Sequence, residues 1–151
     1  MKIAIGSDHQ GYKLKEKIIK YLNKRGHKVT DFGSPDKKST DFPIYAFKVA
    51  KEVSADKFDF GIVICGTGIG MSIAANKVKG IRCALVKSIR DARIARKHNN
   101  ANMLAISGKT NDFVAKDMID QFLKTNFSKV DRYQKRNDLI TAYEESNKNE
   151  H

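Results

Sequence analysis

The stretch "ICGTGIG", residues 64–70, places a thiol, a hydroxyl and three glycines within six positions at the end of an apolar run. Those groups could move a proton and hold the negative charge that its removal creates. Glycines allow successive backbone N–H groups to converge on one point, and a helix beginning near Gly70 would add its positive end. Such a cradle suits a phosphate, a carboxylate or a developing oxyanion. Two nucleotide readings fail on spacing. A dinucleotide fingerprint needs G-x-G-x-x-G in the first βα unit and an acidic residue about 20 positions later. Here Gly66, Gly68 and Gly70 give G-x-G-x-G after the third strand, and the fourth strand ends in "ALVK". A Walker A loop needs Gly-Lys followed by Ser or Thr, whereas Gly70 is followed by Met71. A turn that uses glycine for backbone reasons alone stays open. So does Cys65 as a small buried hydrophobe. Its place at a strand's carboxyl end, in electropositive surroundings, favours a thiolate instead. Cys83, inside "IRCALV", reads as a buried hydrophobe.

Further charged groups could serve the same chemistry. Asp8 and His9 in "SDHQG" stand at the tip of the first strand, where they could handle protons or bind phosphate. Asp8 could equally cap the following helix. Arg132 and Arg136 are four apart on one helical face and could grip one phosphate, or could simply be solvated. His98, near a helix C-terminus, could be no more than a dipole partner. No His, Cys, Asp or Glu cluster has metal-ligand spacing, and there is no G-x-S-x-G elbow.

The elements that must position these groups alternate. Strands are predicted over "KIAIGS", "HKVTDF", "FGIVIC", "IRCALV" and "NMLAIS". Helices are predicted over "GYKLKEKIIKYLNKRG", "IYAFKVAKEVS", about Gly70 to Lys79, "SIRDARIARKH", "NDFVAKDMIDQFLKT" and "DRYQKRNDLITAYEES". Leu14, Ile18, Ile19 and Leu22 line one face of the first helix. Gly33, Pro35 and Pro43 mark a polar loop. "FGIVIC" is apolar throughout, as a strand buried on both faces should be. Strand–helix alternation implies right-handed crossovers and a parallel sheet covered on both sides. Ligands then bind beyond the strands' carboxyl ends. That selects Ser7 to His9, the loop after Asp31, Cys65 to Gly70, the residues after Val86, and Ser107 to Lys109. His98 and Asn99 precede strand five and should lie at the wrong end. If functional, they should serve a neighbouring chain.

The chain has 151 residues, 40% of them apolar and 30% charged, which suits one globular domain over 1–151, with a frayed tail from about 146. No apolar run approaches bilayer length, no secretory leader is read at "MKIAIGSDHQG", and two cysteines are too few for a disulfide framework. A cytoplasmic protein without membrane partners is expected. The net charge is +12, but the lysines, including Lys13, Lys15, Lys17, Lys20 and Lys24 of the first helix, are scattered. With no basic tail and no interleaved aromatics, the charge reads as a solvated surface that can steer anionic ligands, and not as nucleic-acid binding.

"IGSDHQGYKLKEKI", "DFG", "TDFPIYA", "ICGTGIGMSIAANKVKGIRCALV", "ARKHNNANMLAISG" and the arginine pair occur in order over residues 1–145. In these motifs the chain resembles the sugar-phosphate isomerase family of type B ribose-5-phosphate isomerases and galactose-6-phosphate isomerase subunits. The resemblance implies a Rossmann-like three-layer α/β/α sandwich with a five-stranded parallel sheet and a C-terminal helix. It implies a homodimer or a dimer of dimers with shared sites. The implied reaction interconverts ribose 5-phosphate and ribulose 5-phosphate in the pentose phosphate pathway, without metal or cofactor. Six-carbon phosphates are the alternative substrates.

Carried over, Cys65 would be the base between C2 and C1, and Gly66, Thr67, Gly68, Ile69 and Gly70 would hold the enediolate by backbone N–H groups. Thr67 and His98 would assist ring opening. Asp8 would contact the sugar hydroxyls, and His9, Arg132 and Arg136 the phosphate. Asn99 would reach the substrate from the partner subunit together with His98. Many relatives have arginine at the position of Lys109, which would meet phosphate as a point charge without a bidentate fork. Some use a glutamate base where Met71 stands, which leaves Cys65 as the base here. The presence of Cys65, His9, His98 and both arginines in one chain favours a self-sufficient isomerase over one of two unlike subunits.

Overall fold

The structure is a computed structural model that describes residues 1–147. Five strands, β1 (Lys2–Ser7), β2 (Lys28–Asp31), β3 (Phe60–Cys65), β4 (Cys83–Leu85) and β5 (Met103–Ser107), form one parallel sheet in the order β2-β1-β3-β5-β4. Helices α1 (Tyr12–Lys24), α2 (Phe42–Ser54), α3 (Ile69–Ala75), α4 (Ile89–Asn99), α5 (Asp112–Lys124) and α6 (Asp131–Ser146) complete the chain.

Successive strand residues point to opposite faces, and the core divides accordingly. Ile3, Ile5, Ile62, Ile64, Leu104 and Ile106 pack with α1, α4 and α5. Ala4, Val63, Cys65, Met103 and Ala105 pack with α2 and α3. The central strands are apolar because both faces are covered. Edge strand β2 is mostly exposed and polar. The expected α/β/α fold and its C-terminal helix are present. The tail expected from about 146 is helical at Ser146, and beyond Asn147 it lies outside the described residues.

Three boundary differences from the sequence expectation bear on the site, beside shorter ends at α1 and β2. Pro43 opens α2 instead of closing the loop, because a first-turn residue has no intrahelical use for its N–H. Helix α3 stops at Ala75, short of Lys79. The Asn76 side chain donates to Ser72 O and Cys83 O, each at 2.9 Å, and accepts the Cys83 N–H at 2.8 Å. An amide that pairs with strand β4 in this way competes with helix continuation. The third difference is that β4 spans three residues, well short of "IRCALV". Among the described residues no helix is long and apolar enough to cross a membrane.

Candidate active site

Strand order reverses between β1 and β3, so the crevice for a ligand should open at their carboxyl ends. Asp8 and Cys65 stand there side by side, with Asp8 N–H donating to Ile64 O at 3.2 Å. Asp8 is 6% exposed. Its Oδ1 accepts from Gln10 N–H at 2.9 Å and Gly11 N–H at 3.1 Å, which ties the turn before α1. Gly11, not Asp8, is the N-cap, so the capping alternative holds in kind but not in position. Next to it, His9 Nδ1 accepts the Thr40 N–H at 3.2 Å. A neutral His9 ring therefore carries its proton on Nε2, which is left as a donor.

Cys65 is 4% exposed, and its Sγ accepts the Gly68 N–H at 3.2 Å. Gly68 has φ 77°, a left-handed conformation that other residues adopt only with strain. A Cβ there would lie 2.7 Å from Leu85 Cδ1 and 2.9 Å from the Ile106 carbonyl carbon. Thr67 Oγ1 accepts the Ile69 N–H at 3.2 Å. The first helical bond runs from Ser72 N–H to Gly68 O, so the amides of Gly70 and Met71 have no intrahelical partner. Helix α3 has only seven residues. The cradle thus works through individual amides more than through a long macrodipole.

The loop after β5 locks this cradle. Gly108 N–H donates to Cys65 O at 2.7 Å, and Ser107 Oγ donates to Gly66 O at 2.7 Å while accepting the Lys109 N–H at 3.1 Å. A groove of about 340 Å³ opens here, lined by Thr67, Lys87, Ser107 and Lys109 among others.

Behind His9, Lys15 departs from the solvated reading. It is fully buried, and its Nζ donates to Asp31 at 2.8 and 3.0 Å and to Ser34 O at 2.6 Å. Ser34 N–H in turn donates to Ser7 O at 2.8 Å, and Gly33 O accepts the Ser7 N–H at 2.7 Å. The ion pair thereby holds the segment that leads to Thr40 against β1. Lys15 shares the three-and-four spacing of Ile18 and Leu22, which puts it on the buried face of α1.

The remaining candidates lie elsewhere. His98 is in the last turn of α4, just before β5 begins. Arg96, one turn-half earlier, packs over Phe60, the first residue of β3, at 4.7 Å. Cys65 is the last residue of that strand, about 16 Å further at the usual rise per residue. Arg132, expected to share a phosphate with His9 and Arg136, lies beside His98 instead, and Arg136 follows one turn later on α6. Arg132 Nη2 donates to the Tyr133 hydroxyl at 3.0 Å, and the Tyr133 ring stacks on His98 at 4.2 Å. Asn137 Nδ2 donates to His98 O at 3.1 Å, and Arg82 Nε to Asn99 O at 2.9 Å. Asn99, Arg132 and Arg136 are exposed.

One chain therefore brings together Asp8, His9, Cys65, the Gly66 to Gly70 loop and Lys109. Separately it brings together His98, Asn99 and Arg132. Ser107 fell within a stretch selected from sequence, whereas Thr40, Tyr133 and Asn137 were not assigned, because their role is to bond groups distant in the chain. Among the described residues no cluster of three His, Cys, Asp or Glu could hold a metal ion.

The profile of the Ribose/Galactose Isomerase family matches residues 3–140. Ribose-5-phosphate isomerase B of Mycobacterium tuberculosis is 40% identical over 146 residues, covering 95% of this chain and 90% of the relative. Galactose-6-phosphate isomerase subunit LacB of Clostridium acetobutylicum is 42% identical over 128 residues, 84% of this chain and 74% of that one. The structure of Clostridium thermocellum ribose-5-phosphate isomerase B superposes with a TM-score of 0.93 at 46% identity, covering 97% and 99% of the two chains. Agreement in fold, in length and in two-fifths of the residues leaves one assignment: the chain belongs to the ribose/galactose isomerase family.

Proposed function

We propose that this protein is a ribose-5-phosphate isomerase, an aldose–ketose isomerase that works through an enediolate. The observation that carries the reading is the Gly68 N–H on Cys65 Sγ, which joins a candidate base to a ring of backbone donors at the sheet's switch point. Cys65 removes the C2 proton of the open-chain aldose, and the enediolate oxygens gather negative charge beside the amides of Gly66 to Gly70. The proton returns to C1. The O2 hydroxyl gives up its proton and O1 takes one, C1 is reduced as C2 is oxidised, and the reaction is internally balanced.

Asp8 contacts the sugar hydroxyls, Thr67 serves ring opening, and His9 Nε2–H and Lys109 approach the phosphate. His98, Asn99, Arg132 and Arg136 complete the site from a second copy, because within one chain they lie at the sheet's opposite end. His98 assists ring opening there, and the two arginines take the phosphate. The +12 charge would steer such an anionic substrate. A cytoplasmic homodimer, or a dimer of dimers, is the assembly that fits this arrangement.

A coupled assay on ribose 5-phosphate without added metal tests the reaction directly. Turnover is expected, and its absence in folded protein overturns the proposal. Cys65→Ala should lower kcat by about 10³-fold or more with substrate binding kept. The identity with subunit LacB favours a six-carbon phosphate as the second reading. The ratio of kcat/KM for five- and six-carbon phosphates decides between them.

A further inference from the structure

Tyr133 stands between two groups that the proposed reaction uses. Its ring lies 4.2 Å from the His98 imidazole, with the planes 22° apart. The Arg132 guanidinium carbon is 4.6 Å from the ring centre, and Arg132 Nη2 donates to the Tyr133 hydroxyl at 3.0 Å. Adjacent residues on a helix do not normally face one another, so this pairing is a specific arrangement of the first turn of α6. Stacking restricts rotation of the imidazole, and a guanidinium bonded to a fixed hydroxyl keeps fewer rotamers than a free one. The His98 backbone is held independently, by the Asn137 amide on its carbonyl oxygen. Tyr133 therefore acts on the His98 ring without carrying the helix end.

We propose that Tyr133 is a positioning residue for both groups: its ring sets the plane of the His98 imidazole, and its hydroxyl anchors the Arg132 guanidinium. The proposal rests on the reading that His98 and Arg132 act on a sugar phosphate held by a second copy. The two functions of the side chain are separable. The ring serves a group that moves protons, and preorganisation of such a group is read in kcat. The hydroxyl serves a group that binds phosphate, and that is read in KM.

The experiment compares Tyr133→Phe and Tyr133→Leu with the wild type, using ribose 5-phosphate as substrate and inorganic phosphate as competitive inhibitor. Tyr133→Phe should raise KM and the phosphate inhibition constant together, by about three- to tenfold, with kcat within about twofold. Tyr133→Leu should show the same rise and lose about tenfold in kcat, which the phenylalanine ring restores. A structural role alone would lower the folded fraction without moving the phosphate constant.

An unchanged phosphate constant in Tyr133→Phe, or an unchanged kcat in Tyr133→Leu, overturns the proposal. His98→Ala and Arg132→Ala run in parallel. If they lose activity and the Tyr133 variants do not, the positioning role alone falls. If they match the wild type, the reading of this end fails and the proposal falls with it.

Discussion

The two ends of the sheet are built on different principles. At the carboxyl end Asp8, Cys65 and Gly68 are buried, and the contacts are made largely with backbone groups: Asp8 accepts two turn amides, Cys65 accepts the Gly68 amide, and the Gly66 carbonyl accepts the Ser107 hydroxyl. At the amino end they are side chains on helix termini, half-buried or exposed, ordered by stacking and by single amide and guanidinium contacts. The first end offers a base and donors for negative charge, with Lys109 as its cation. The second offers an imidazole and arginine side chains but no thiol and no glycine cradle. On the proposed reading neither end is a whole isomerase site, and the base and its donors sit where backbone contacts are densest.

That contrast can be broken by experiment. The largest effect is expected from mixing two inactive variants, Cys65→Ala and His98→Ala. Random exchange leaves one intact site in each mixed dimer, so activity should recover to about a quarter of wild type. No recovery after confirmed exchange would place each site within one chain. Gly68→Ala comes next. Its Cβ would meet backbone at 2.9 Å from a left-handed conformation, and the amide on Cys65 would shift. A fall in kcat of about 10²-fold is expected, well beyond any loss of stability, because a preorganised donor is removed. A kcat within a few-fold of wild type would mean the cradle is only a turn.

Lys15→Met should act on stability first. Removing one partner of a buried pair costs about 3–5 kcal/mol, and the partial exposure of Asp31 reduces this to about 2–3 kcal/mol. Denaturant unfolding reads it, and a loss under about 0.5 kcal/mol would show that the lysine carries no such weight. The smallest effect concerns thiol reactivity. Burial pushes the Cys83 thiol up to about 12, so it stays protonated at pH 8. Iodoacetamide at that pH should modify Cys65 in the folded protein and spare Cys83, with peptide mapping as the readout. Equal labelling would contradict the contrast between a working and a packed cysteine.

Much of this was legible from residue types and spacing. The alternation of strands and helices follows from apolar periodicity, which burial on both sheet faces imposes directly. Cys65 to Gly70 stood out because a thiol and three glycines at a strand end can carry a proton and hold charge, although a plain turn and a buried thiol stay open on sequence alone. Lys15 reads as solvated because a lysine is rarely fully buried, and its partners Asp31 and the Ser34 carbonyl, 16 and 19 residues away, make burial tolerable. The early stop of α3 was missed because Asn76 bonds a strand seven residues on, which no local propensity encodes.

From the chain alone came the class of fold, the candidate base, its glycine cradle and the expectation that His98 would fall at the wrong end. These are local facts, set by periodicity and by what strand tips can present. The strand order β2-β1-β3-β5-β4, the buried Lys15 pair and the joining of His98, Tyr133 and Arg132 came from the folded molecule. They depend on contacts between residues far apart in the chain, and the energy of such contacts exists only once the intervening elements have packed.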